Sequence, residues 1–197
     1  MSATTDLDKI LARHDVGVSA EEFLWELDMA LSEVSGQDSE PLSGTEAAFL
    51  RAHGGERAAD VVDDDPQVVR RQRASSVAHE LVGTFASTMS IAETATLLGV
   101  DRSRVSQLLS HRRLWAFPMG RNKRVPRWQF LRGTLLPNFG QVVEAIPPGL
   151  APQAIDGLMT TGQPEFDGVS PVEFLADGGD PRAVAGLVSG LGWWLIA

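Results

Sequence analysis

The chain has 197 residues, 43% of them hydrophobic, and a formal net charge of −9, so it can bury real cores and is not disordered by composition. It has no cysteine, which excludes disulfides, thiolate nucleophiles and Cys-containing zinc sites and fits a reducing compartment. The start MSATTDLDKILARHDVG lacks a basic segment followed by an apolar run, and no stretch approaches the ~20 apolar residues of a membrane span, so a cytoplasmic protein with no membrane partner is expected.

In chain order, SAEEFLWELDMALSEVSG sets Phe23, Leu24, Leu27, Leu31 and Val34 at helical spacing, with Ser19 three residues before Glu22 as a capping box and Gly36 as a stop. After the polar break QDSEPLSG, a second helix starts at SGTEAAFLRAHGG and closes at Gly54-Gly55. The run ERAADVVDDDPQVVRRQRA then turns from acidic to basic around Pro66. Asp63 to Asp65 are placed to cap a helix beginning there, running toward Thr84 and carrying Val69, Val77, Leu81 and Val82 inward. Residues 1–66 read as an acidic N-terminal helical region.

Charge divides the chain more sharply than hydropathy. From Arg70 to Arg132 there are twelve Lys/Arg against three Asp/Glu, net +9, and the remainder carries five against twenty-three, net −18. A basic cluster concentrates phosphate affinity, because each neutralised phosphate releases condensed counterions. The acidic flanks repel DNA and confine contact to one face, or they serve another partner.

Within the basic segment, SIAETATLLG offers Ser90 as an N-cap with Glu93 three residues on, and Ile91, Ala95 and Leu98 on one face. Gly99 suits a tight turn of positive φ, and Val100 closes it. Asp101 or Ser103 caps the next helix, where Val105, Leu108 and Leu109 face inward and Arg102, Ser103, Ser106 and Gln107 face out. This is helix-turn-helix spacing. Next, RRLWAFPMGRNKRVPRWQF alternates apolar and polar residues about GRNK, a hairpin with a basic tip. In it Leu114, Trp115 and Phe117 pair with Val125 and Trp128, while Pro118 and Pro126 keep the ribbon's edges unpaired. The stretch from Ser90 to Phe130 resembles the excisionase and MerR-like class of bacterial DNA-binding domains. The resemblance implies two helices in SIAETATLLGVDRSRVSQLL and a wing in GRNKRVPRWQF.

A recognition helix of this kind fits the major groove of double-stranded DNA. Arg102, Ser103, Ser106 and Gln107 are the candidate base readers. Arg104, His111, Arg112 and Arg113 are candidate phosphate contacts, and Arg121, Asn122, Lys123 and Arg124 at the wing tip would enter or straddle a minor groove. The competing explanation is a solvated basic face on a domain that binds only protein.

Past the punctuated joint LPNFGQVVEAIPPGLAP, Ile155, Leu158 and Met159 form one apolar stripe. Ser170-Pro171 opens a helix with Val172, Phe174 and Leu175 inside, and Asp180-Pro181 another with Val184, Leu187 and Val188 inside. The order QPEFDGVSPVEFLADGGDPRAVAGLVSGL resembles the toxin-binding domain of antitoxins named after Xre, MbcA and ParS, although it lacks the tryptophan-bearing helix often found before the loop. That resemblance implies a RES-domain toxin as partner, an enzyme that attacks NAD or uses it for ADP-ribosylation. The partner-binding candidates are Phe166, Val172, Phe174, Trp193 and Trp194. The apolar end GWWLIA is core, partner patch or degradation tag, in that order of preference. The same stripes would equally serve a dimerisation or regulatory domain.

No enzymatic constellation stands out. His14, His53, His79 and His111 are scattered, there is no Walker A, GxGxxG or GxSxG, and there is no tyrosine. No enzyme activity, metal or cofactor is expected. The fold expected is mainly α: N-terminal helices, a winged helix-turn-helix at 67–135 with a small β-hairpin, and a small helical domain at 145–197. The function expected is a nucleoid-associated transcriptional regulator, homodimeric or a higher homo-oligomer, acting as the antitoxin of a RES-type toxin and repressing its operon. The alternatives are an excisionase-like or nucleoid-associated DNA-architectural protein, or a stand-alone regulator whose C-terminal unit oligomerises or senses a ligand.

Overall fold

The computed structural model describes residues 3–14, 16–36, 43–53 and 66–191, and the chain divides into two compact units, 1–84 and 85–197. It is mainly helical with a small antiparallel sheet. Among the described residues no helix is long and apolar enough to cross a membrane.

In the N-terminal unit, α1 (Ala3–Arg13) packs on α2 (Ala20–Gly36). The Ala20 N–H donates to Asp8 Oδ1 at 2.6 Å and the Glu22 N–H to Ser19 Oγ at 3.2 Å, so two donors left open at the start of α2 find partners. Leu11, Val16, Ala20 and Phe23 are buried, Leu27 and Leu31 are half-buried, and Leu24 is exposed, against expectation. One residue is about 100° of helix rotation, which carries Leu24 off the Phe23 stripe. Glu26 takes the inward place instead, and its burial, with Glu22 nearby, pushes its carboxyl pKa above the ordinary carboxylate range. Helix α3 (Gly44–His53) opens with a reciprocal cap between Ser43 and Glu46. The side chain of Val34, Gly54-Gly55 and Asp63 to Asp65 lie outside the described residues.

Helix α4 (Pro66–Ser87) starts at the expected proline and runs past Thr84. Leu81 and Phe85, four residues apart, are buried, Val69 and Val77 are half-buried, and Val82, beside that stripe and not on it, is exposed.

The C-terminal unit holds strands β1 (Thr88–Ser90), β2 (Phe117–Met119) and β3 (Asn122–Pro126) in the antiparallel order β1-β3-β2. Helices α5 (Ile91–Leu98) and α6 (Arg102–Ser110) lie between β1 and β2 in sequence. Strand β3 is therefore central. Pro118 is on the edge strand β2, as expected, but Pro126 pairs with Thr88 and does not guard an open edge. Gly120, at φ 52°, makes the tight turn into β3. A 3-10 turn (Arg127–Gln129) and a small ribbon of β4 (Phe130–Leu131) with β5 (Thr134–Leu135) follow.

Among the described residues, the helices α7 (Gly140–Ala145), α8 (Pro152–Thr160), α9 (Pro171–Ala176) and α10 (Pro181–Gly190) follow. The sequence marks the stretch LPNFGQVVEAIPPGLAP, residues 136–152, as a joint, but its first half is packed. Leu136, Phe139, Val142 and Val143 are buried with Ile155, Met159, Leu175, Val184 and Val188, and α10 packs along α7. A second core of Ala95, Val105, Leu114 and Val125 lies under the sheet and α5–α6. Trp115 and Trp128 pack against the first core, with Trp128 edge-on to Phe139 at 5.6 Å between ring centroids. The buried Gln129 side chain ties the wing's base together, accepting from the Trp115 N–H at 2.9 Å and donating to the Trp115 carbonyl at 2.8 Å. The α5–α6 pair and the C-terminal helices thus share one compact unit.

Candidate nucleic-acid interface

Local chemistry builds the α5–α6 corner. Ser90 and Glu93 close a full capping box: the Glu93 N–H donates to Ser90 Oγ at 3.2 Å and the Ser90 N–H to Glu93 Oε2 at 2.7 Å. Gly99 ends α5 at φ 65°, in the left-handed region where a side chain is strained. Asp101, not Ser103, caps α6: the Arg104 N–H and the Ser103 hydroxyl each donate to Asp101 Oδ1 at 2.7 Å. Those two hydrogen bonds, the hydroxyl's first, hold the Asp101 carboxyl below the usual carboxylate range. Ala95 and Val105 are buried, which seats the two helices on each other.

The outer face of α6 carries the expected base readers. Arg102, Ser103, Ser106 and Gln107 are all exposed, as is Arg104, whose Nη1 donates to Gln107 Oε1 at 3.0 Å. The Ser106 hydroxyl donates to the Arg102 carbonyl at 3.1 Å. The sequence expectation put Arg102, Ser103, Ser106 and Gln107 on the outer side of this helix, and all four are exposed.

The end of α6 departs from expectation. His111 is exposed, but the next two cations reach toward α7. Arg112 sits at φ 51°, in the position after the cap where glycine is usual, and its Nη1 donates to the Glu144 carbonyl at 3.4 Å. Arg113 lies along Gly140, where an added Cβ would come 3.0 Å from its Cδ.

At the β2–β3 turn, where the wing tip is expected, Arg121, Asn122 and Lys123 are exposed. Arg124 is not, and its place at the wing tip is a correction. It is fully buried, pairing with Phe117 on one side and Ser90 on the other. Its Nε donates to Thr88 Oγ1 at 3.0 Å and its Nη2 to the Thr88 and Phe85 carbonyls at 3.2 and 3.4 Å, with the guanidinium 4.9 Å from the centre of the Phe85 ring. A guanidinium with its donors committed inside the sheet cannot reach a phosphate.

The partner-binding candidates are in part packed into the C-terminal core. Phe166 is buried and stacks on Phe174 at 4.3 Å, while Val172 and Phe174 are half-buried against the C-terminal core. Trp193 and Trp194 lie outside the described residues. Sequence reasoning missed β1 and with it the burial of Arg124. A three-residue strand directly after a helix leaves no alternation to read.

Among the described residues no group of three His, Asp or Glu is placed to hold a metal. No protein-family model matches the chain, and neither does any curated protein or solved structure.

Proposed function

We propose that the chain is a sequence-reading DNA-binding regulator that presents α6 to the major groove and the Gly120–Lys123 turn to the flanking backbone. The observation that carries this reading is the outer face of α6. Arg102, Ser103, Ser106 and Gln107 are exposed together on a helix whose opposite face is fixed by the fully buried Val105. Arginine recognises guanine through two parallel hydrogen bonds and glutamine recognises adenine, so these side chains suit base edges. Arg104 and Arg121 supply phosphate contacts that set the register.

Selection from a randomised pool of duplexes tests the reading. The intact chain should enrich one motif, and Arg102→Ala should relax the preference at one base pair, weakening the selected site by about 1–3 kcal/mol. Failure to retain any duplex at about 0.1 M salt would remove the proposal. Retention without an enriched motif would favour the architectural alternative.

The antitoxin reading rests on a narrower base: the order of α8, the Ser170-capped α9 and α10, which follows the pattern of the toxin-binding resemblance. A RES-domain protein that copurifies with the chain after nuclease treatment would support it. Repression of the operon, pairing into dimers and nucleoid association all follow from the same proposal.

A further inference from the structure

A cleft of about 590 Å³ opens within the C-terminal unit between the end of α6, strand β2 and the loop that joins α7 to α8. Its walls are apolar: Leu109, Trp115, Phe117, Ile146 and a cluster of prolines at 118, 147, 148 and 152. Two cations line it, Arg112 and Lys123, and no acidic side chain does. That volume suits a small organic ligand, and the combination of apolar walls with a few placed polar groups is the usual make-up of such sites.

Arg112 supplies an independent observation. It holds the left-handed conformation at φ 51° immediately after α6, with the Arg112 N–H donating to the Leu109 carbonyl at 3.1 Å and the Arg113 N–H to the Leu108 carbonyl at 2.8 Å. This is the hydrogen-bond pattern of a Schellman cap, whose left-handed residue is most often glycine because a Cβ is strained there. An arginine in that place keeps a side chain at a backbone cost, and that side chain lines the cleft. Strained positions of this kind collect at ligand sites.

We propose that the cleft binds a small amphipathic organic anion, an aromatic or branched carboxylate, with its ring or chain against Trp115 and the prolines and its carboxylate between Arg112 and Lys123. A neutral molecule of the same shape leaves both cations without an anionic partner, so charge complementarity selects the acid over its amide. Occupancy joins α6, the wing and the α7–α8 loop, because one ligand touches all three. On the DNA-binding reading this is an effector site. The binding itself does not depend on that reading.

The test uses the full chain without DNA. 1-Anilinonaphthalene-8-sulfonate, an aromatic anion that fluoresces when it leaves water, is titrated onto the protein and displaced with indole-3-acetate or with its neutral amide. The acid should displace the dye at least about tenfold better than the amide, and Lys123→Gln should weaken dye binding about fivefold. Arg112→Gly should lose about tenfold in dye affinity while its melting temperature holds or rises, since the left-handed strain is gone. Equal displacement by acid and amide overturns the proposal, as does unchanged dye binding in both variants. Loss of binding in Arg112→Gly with a lowered melting temperature, Lys123→Gln remaining at parental affinity, overturns it as well. Duplex selection is run separately, so a chain that binds the dye in the cleft but retains no duplex keeps this site and loses the regulatory reading.

Discussion

Arg124 separates a structural cation from a DNA-binding one, and replacing it by Met or by Ala makes the distinction measurable. Its guanidinium donates to Thr88 Oγ1 and to the Thr88 and Phe85 carbonyls, and it lies 4.9 Å from the Phe85 ring centre, with no exposed surface. Truncation to Ala opens a cavity beneath the β1–β3 pair and leaves acceptors without a donor, a loss of about 3–5 kcal/mol. Met restores most of the volume and the contact with Phe85 but not the hydrogen bonds, so its cost should be nearer 1–3 kcal/mol, roughly the price of stranded buried acceptors. Urea unfolding gives both values. Hydrogen exchange of the Met89 and Val125 amides reports the same loss locally, because these residues face each other across β1 and β3. The accompanying test is ionic. If Arg124 touches no phosphate, the salt slope of DNA binding is the same in Arg124→Met as in the parent, whereas Arg121→Ala flattens it by about 0.9. A variant with parental stability, weaker DNA binding and a flatter slope would refute the burial argument and return Arg124 to the wing tip.

Ser90→Ala removes the side-chain half of the α5 cap, the Oγ that accepts from the Glu93 N–H, and should lower stability by about 1 kcal/mol, read by urea unfolding. Gly99→Ala finds open space but a left-handed backbone, for a similar loss of about 1 kcal/mol in the same assay. Gly162→Ala should cost more, at least about 2 kcal/mol, since a Cβ there lands on the Gly168 carbonyl and the loop before α9 must shift. Glu26→Gln tests the raised carboxyl in the N-terminal unit. A folded pKa above the unfolded value gives stability that is complete below about pH 4.5 and lost as pH rises through the folded pKa. The glutamine variant should therefore melt higher than the parent at pH 7, and the difference should vanish toward pH 4.

What was legible in the sequence was what neighbouring residues decide. Ser90, Glu93, Gly99 and Asp101 act within three or four residues of themselves, so spacing alone placed the α5–α6 corner and the exposed face of α6. Ser170 and Asp180 did the same for α9 and α10. What stayed hidden depends on partners far along the chain. Arg124 meets Thr88 and Phe85 across 36 and 39 residues, and Gln129 meets Trp115 across 14. A basic residue beside a turn reads as a tip until its strand is known to be central. Residues 136–152 read as a joint because prolines and glycines punctuate them, yet Val142 and Val143 fill a core whose other half comes from α8 and α10. Composition marks where a chain turns and says little about whether the turn is buried.

The charge pattern takes on a different sense once these positions are known. Twelve Lys/Arg crowd into residues 70–132, but they do not all face outward to a polyanion. Arg124 holds β1 to β3, Arg112 and Arg113 reach across to α7, and Arg112 and Lys123 line the cleft. On the DNA reading, α6 and the wing turn keep Arg102, Arg104 and Arg121 for groove and phosphate. The two phosphate contacts, from Arg104 and Arg121, correspond to a salt slope of about −2, well short of the six to ten contacts typical of a tight specific binder. On that reading a single copy would have too few phosphate-facing cations to hold DNA firmly. Two copies on adjacent half-sites double the contacts, and linkage makes the second contact far easier than the first. Affinity in such a system comes from pairing, which leaves some of the module's arginines available for holding the fold together.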